Sequence, residues 1–116
     1  MSRPPFPRVR RINSVLREVL ADAVEDLKDP RLGFVTVTGV ESSPDMRQAV
    51  VYYSALDLST LDEVQKALEA AASRLRRAVA TQVRMKYLPA LEFRVDRGVV
   101  EGEKIEALLR SLHEEE

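Results

Sequence analysis

The amino-acid sequence predicts one two-layer α+β domain, and three observations carry that prediction. Apolar residues recur at helical spacing early in the chain and again through its second half, while two β-branched runs lie between these stretches and a third follows them. At 116 residues, 45% of them hydrophobic, the chain is long enough for one core and too short for two. Prolines and turn-forming residues separate the runs, so the order reads α, β, β, α, α, β and a short last α.

Residues 1–7 contain Pro4, Pro5 and Pro7 and are expected to form a flexible N-terminal arm. The first helix follows, with Ile12, Val15, Leu16, Val19, Leu20, Ala23, Val24 and Leu27 on one apolar stripe. Pro30 disfavours helical geometry at Asp29 and sets the expected stop there. Phe34 to Glu41 is expected to be a strand, with Gly39 marking a bulge, and Gln48 to Ala55 a second strand. Ser42, Ser43, Pro44 and Asp45 between them predict an antiparallel hairpin.

Thr60 and Glu63 have capping-box spacing, so a helix is expected from Leu61. Its stripe runs through Val64, Leu68, Ala71 or Ala72, Leu75, Val79 and Val83, with the small residues Ala70 to Ser73 allowing a bend at its middle. Pro89 is expected to close this helical region. Leu91, Phe93 and Val95 alternate as a third strand, Asp96 to Gly98 form a turn, and Ile105, Leu108, Leu109 and Leu112 mark the last helix. Phe34 and Phe93 read as core.

This order matches the type II variant of the KH fold, an RNA-binding architecture. KH domains grip nucleic acid with a GxxG loop between two helices, yet no glycine occurs between Gly39 and Gly98. Any nucleic acid is therefore expected on another surface.

The formal net charge of −1 conceals a dipolar chain. Residues 1–17 hold Arg3, Arg8, Arg10, Arg11 and Arg17 with no acid, and residues 70–91 hold Arg74, Arg76, Arg77, Arg84 and Lys86 with no acid. The stretch between them, and the end of the chain, are acidic. A solvated helix face normally interleaves both signs. Arginine's planar fork suits phosphate, so Arg8, Arg10, Arg11, Arg74, Arg76, Arg77, Arg84 and Lys86 are the candidate RNA contacts. Tyr52 has two readings, as a base-stacking residue on the open sheet face or as packing.

Enzymatic chemistry finds little to work with. The chain has no cysteine, no phosphate-binding glycine loop and no histidine pair for a metal, and its one histidine, His113, stands beside Glu114, Glu115 and Glu116. Glu25 and Asp26 lie off the apolar stripe, where carboxylates usually face solvent. Neither a catalytic residue nor a cofactor is expected. No run approaches the ~18 apolar residues of a membrane span and no secretory signal opens the chain, so a cytoplasmic protein is expected.

Several pieces of the chain resemble one family. They are Leu27, Lys28, Asp29, Pro30 and Arg31; Val35, Thr36 and Val37; Val40, Glu41, Ser43, Pro44, Asp45, Ala49, Val51, Tyr52 and Ser54; and Arg76, Lys86, Tyr87, Pro89, Leu91, Phe93 and Asp96. Each is weak alone, but in this order and spacing the chain resembles the ribosome-binding factor A family from about Arg8 to Leu112. The resemblance implies a KH-like RNA-binding domain over residues 8–112, with 113–116 as an acidic tail. It also implies a monomer that binds the free small (30S) ribosomal subunit and its 16S rRNA, assists late maturation and catalyses nothing. In that family an Ala-x-Gly kink replaces the glycine loop; Ala71, Ala72 and Ser73 stand there, with serine in place of glycine. Two other classes stay open: a protein-interaction module that uses the acidic surface, and a small RNA-processing enzyme.

Overall fold

Helix α1 spans Pro7–Glu25 in a computed structural model that describes residues 7–98 and 108–112. Pro7 stands in its first turn rather than in the arm, because a first-turn proline forfeits no helical hydrogen bond and its fixed φ suits the helix. Residues 1–6 and 113–116, with His113 and Ile105, lie outside the described residues.

The stripe of α1 buries Val9, Leu16, Val19, Leu20 and Val24, with Ile12 packed beside them. Val15, expected in the stripe, is 38% exposed. The helix ends at Glu25, four residues before the proline-imposed limit at Asp29. The Leu27 N–H bonds the Val24 carbonyl three residues back (3.1 Å), a tightened turn that swings Leu27 against the core and ends the α geometry. Asn13 is the buried polar residue of this helix; its Oδ1 accepts the Ser42 N–H (3.0 Å) and the Ser42 hydroxyl, tying α1 to the sheet.

The sheet has the order β1-β2-β3, from β1 (Val35–Ser42), β2 (Gln48–Ala55) and β3 (Ala90–Val95). β1 runs antiparallel to β2 and β3 parallel to it, so the β2 to β3 connection must cross over, and the two central helices make that crossing. The expected bulge is present: Val37 pairs with Tyr53 and Gly39 with Tyr52, leaving Thr38 as the extra residue. It re-phases the strand so that Val37 and Val40, three apart, both reach the core. Thr38 uses its odd position to donate to Asp96 Oδ2 (2.6 Å) just beyond β3.

Phe34 is not core. It is 80% exposed and precedes the strand, because with Val35 and Val37 facing inward the two-residue period turns Phe34 and Thr36 out. Phe93 is buried as expected.

A 3₁₀ turn at Leu58–Thr60 leads into α2 (Leu61–Ala70). The capping box does not form. Asp57 caps the 3₁₀ turn instead, accepting from the Ser59 N–H, while the Thr60 hydroxyl donates to the Asp57 carbonyl and makes no side-chain cap for α2. The small-residue bend falls at Ala71, whose φ of −90° and ψ of 0° separate α2 from α3 (Ala72–Gln82). Ser73 lies inside α3, so the kink requires no glycine at that position.

Val64, Ala67, Leu68, Leu75 and Val79 of these helices meet α1 and the inner face of the sheet, Val37, Val40, Ala49, Val51, Tyr53 and Phe93. Gln65 stitches the two layers: it accepts from the Tyr53 hydroxyl and donates to the Phe93 carbonyl (2.9 Å). Gly98, expected in a turn, is helical with Arg97, and residues 108–112 form the end helix with Leu108, Leu109 and Leu112 all more than half exposed. The arrangement is the KH-like, type II, two-layer domain that the element order predicts.

Candidate nucleic-acid interface

The candidate interface is assembled by the loop that returns from α3 to β3. Arg84 and Lys86 stand in this loop and not on the helix expected to run to Pro89, because α3 ends at Gln82 and Val83 is extended (φ −126°, ψ 131°). The reason is geometric. Val83 and Met85 both pack on the core, which residues two apart do in an extended chain and not on a helix.

Arg76 fastens the far end of the loop, donating through Nε to the Pro89 carbonyl (3.0 Å) and through Nη2 to that of Leu88 (3.1 Å). Buried Pro89 and the bond from the Ala90 N–H to the Arg47 carbonyl (2.8 Å) secure it against the β1–β2 hairpin. That hairpin turns through Met46, whose φ of 61° is unusual for a side chain larger than glycine. The Ser43 to Gln48 backbone bond (2.8 Å) closes it.

These anchors leave a cavity of about 590 Å³ between the start of α1, the hairpin turn and the loop. Arg8 of the first basic block and Arg84 and Lys86 of the second all line it. Its floor is apolar, with Val9, Ile12, Met46 and Met85. Tyr87 completes the wall, its ring under the Arg47 guanidinium at 4.5 Å and near the Lys86 ammonium at 5.4 Å. The lining carboxylate, Asp45, is already engaged: it accepts from the Ser43 hydroxyl (2.7 Å) and the Arg47 N–H (3.1 Å), which hold it below the ordinary carboxylate range.

The other candidates are dispersed. Arg10 faces a shallow cleft on the far flank of α1 with Arg17, Glu41 and Tyr52, and the Tyr52 hydroxyl approaches Glu41 at 3.4 Å. Arg74 lies at the α2–α3 kink with Lys28, Asp29 and Arg31. Arg11 and Arg77 are exposed on α1 and α3. Arg76 is half-buried and spends its guanidinium on the loop carbonyls.

Sequence reasoning missed two participants, Arg47 and Tyr87. Arg47 falls within an acidic stretch and is lost in any count by blocks; Tyr87 directly follows Lys86, an adjacency of cation and ring that was the available signal. Among the described residues no cluster of acids or histidines fit to hold a metal occurs, and no helix is long and apolar enough to cross a membrane.

The comparisons agree on one family. Residues 8–109 match the family model of ribosome-binding factor A. Ribosome-binding factor A of Rubrobacter xylanophilus is 41% identical over 110 residues, covering 94% of this chain and 90% of that one. The crystal structure of ribosome-binding factor A from Thermus thermophilus superposes with a TM-score of 0.72 at 36% identity, covering 77% of this chain and 97% of that one. A homology model of the Thermus thermophilus factor, fitted into an electron-microscopy map of its complex with the 30S subunit, superposes at 0.64 with 38% identity, over 73% of this chain and 91% of that one.

Proposed function

The chain belongs to the ribosome-binding factor A family, and on that premise we propose that it binds free small ribosomal subunits through 16S rRNA and assists late maturation of that RNA. It acts as a cytoplasmic monomer and by binding alone, without a catalytic step or a cofactor. The observation that carries this reading is the meeting of the two acid-free basic blocks, Arg8 from one and Arg84 and Lys86 from the other, around a single cavity. Cations gathered on a concave wall displace the counterions condensed on a phosphate backbone, and the release of those counterions supplies a large share of nucleic-acid affinity.

Arg8, Arg84 and Lys86 take the phosphates at the cavity. Arg10, Arg11, Arg74 and Arg77 extend the positive field around the domain, and Arg76 holds the loop on which Arg84 and Lys86 stand. The fitted Thermus thermophilus complex supports the 30S subunit as the partner. The test is co-sedimentation: the protein is expected in the fraction of free small subunits and hardly at all with assembled ribosomes. Equal recovery in both, or in neither, overturns the proposal.

A further inference from the structure

We infer that the cavity beside Tyr87 is a receptor for one unstacked nucleotide of single-stranded RNA, with the base against the Tyr87 ring and its phosphates on Arg84, Lys86 and Arg8. This rests on the RNA-binding reading above and names the site and the strandedness of its ligand.

Three features of the cavity select that ligand. First, it couples an apolar floor to a rim of cations, the two surfaces a nucleotide presents as base and phosphate. A phosphate backbone alone has no use for Val9, Ile12 and Met85, and the carboxylates of an acidic peptide would meet the cations and leave the Tyr87 ring unstacked. Its volume, about 590 Å³, falls within the roughly 300–1,000 Å³ of small-molecule sites. Second, Tyr87 is 43% exposed even though a cation sits over its ring. A base joining the Tyr87 and Arg47 pair extends a stack of π-system and guanidinium, the arrangement by which proteins hold unpaired bases without reading their identity. In a duplex those faces are already covered by neighbouring base pairs.

Third, the ring is held before any ligand arrives. The Arg47 carbonyl accepts the Ala90 N–H, which ties the hairpin to the loop, and the Arg47 guanidinium lies 4.5 Å from the centre of the Tyr87 ring and backs one face of it. Arg76 anchors the following two residues through their carbonyls. A surface tyrosine with this much support loses little freedom on binding, and the affinity it contributes is correspondingly greater.

The test compares single-stranded oligoadenylate of about ten nucleotides with the same strand paired to oligouridylate, against wild type, Tyr87→Phe and Tyr87→Leu, each shown by its melting curve to be folded. Loss of one base stack is worth about 1–3 kcal/mol, so Tyr87→Leu is expected to weaken single-strand binding roughly 5- to 150-fold. Tyr87→Phe keeps the ring and is expected to stay close to wild type, and binding of the duplex is expected to change little in either variant. A second measurement uses wild type alone: 2-aminopurine in the single strand is expected to be quenched on binding. Unchanged single-strand affinity in folded Tyr87→Leu, equal losses for strand and duplex, equal losses in Phe and Leu variants, or an unquenched probe each overturn the inference. Co-sedimentation separates the two readings. A wild type that sediments with small subunits but shows no base dependence sinks the nucleotide site alone, while one that stacks bases but ignores small subunits sinks the ribosomal reading alone.

Discussion

Two clefts of similar size lie at opposite ends of α1, which at 19 residues is about 28 Å long. The kink corner, about 550 Å³, is lined by Lys28, Arg31 and Arg74; the Tyr87 cavity, about 590 Å³, by Arg8, Arg84 and Lys86. Cation for cation they are alike, but they differ in what has already claimed those charges. At the kink the Arg31 guanidinium grips the Asp29 carboxylate (Nη2 to Oδ2, 2.7 Å), and Asp29 also accepts the Arg31 backbone N–H (2.9 Å).

The backbone at the kink is equally committed. A KH domain carries its phosphate-gripping glycine loop between the corresponding helices. Here the Ala71 N–H bonds the carbonyls of Ala67 and Leu68, both at 3.1 Å, and turns inward. At the other end, Arg47 rests on a tyrosine ring and the lining carboxylate is engaged within its own turn. The two clefts therefore differ in how much of their charge is left uncompensated beside an apolar wall, and not in the number of their cations.

The largest effect that bears on this contrast removes the layer on which both clefts are built. Leu68 is 1% exposed between α2 and the sheet. Leu68→Asp buries an unpaired carboxylate at a cost of several kcal/mol, comparable to much of the ~5–15 kcal/mol that holds a small domain together. Loss of the cooperative melting transition is expected in the circular dichroism signal, and a wild-type melting temperature would show that α2 does not carry the core.

Charge removal tests the contrast itself. Changing Arg8, Arg84 and Lys86 together to alanine is expected to make log affinity for single-stranded RNA shallower against log salt by about 0.7 per lost contact, roughly 2 in all. Changing Arg31 and Arg74 is expected to leave that slope nearly unchanged. Exposed substitutions of this kind alter stability by less than about 0.5 kcal/mol, so melting curves confirm that both variants fold. Equal slopes in the two variants would erase the distinction between the clefts.

The smallest expected effect is that of Asp29→Asn. The Arg31 hydrogen bonds hold the Asp29 carboxyl below its ordinary value. A carboxyl lowered on folding contributes stability that is complete above its unfolded value, about pH 4, and is lost as pH falls through the lower folded value. An acid titration of the melting temperature is therefore expected to lose a shallow step in the variant. If matched charge is what silences the kink corner, releasing Arg31 is also expected to raise RNA affinity slightly at neutral pH. Unchanged affinity would assign the silence to the closed backbone at Ala71.

What the chain alone determined is what repeats locally. Helix and strand periods, the bulge at Gly39 and the bend among Ala70 to Ser73 follow from side-chain spacing and steric freedom within a few residues, and the structure has each of them. Acid-free blocks around Arg8 and Arg84 were equally legible, since charge is a property of composition. Where tertiary contacts competed with a local rule, the local rule lost. The core took Val83 and Met85 and turned the Arg84 region from helix into loop, and the inward packing of Val35 and Val37 turned Phe34 outward; the Thr60 cap was lost to a competing local bond, its hydroxyl donating to the Asp57 carbonyl. Only the fold decided which cations are spent. Arg31 and Arg76 are tied to Asp29 and to the Leu88 and Pro89 carbonyls, while Arg47, from an acidic stretch, reaches Tyr87 forty residues away because β3 pairs beside β2. Charge is written residue by residue, but whether it is neutralised depends on distances of a few ångströms between segments remote in sequence, which no local pattern encodes.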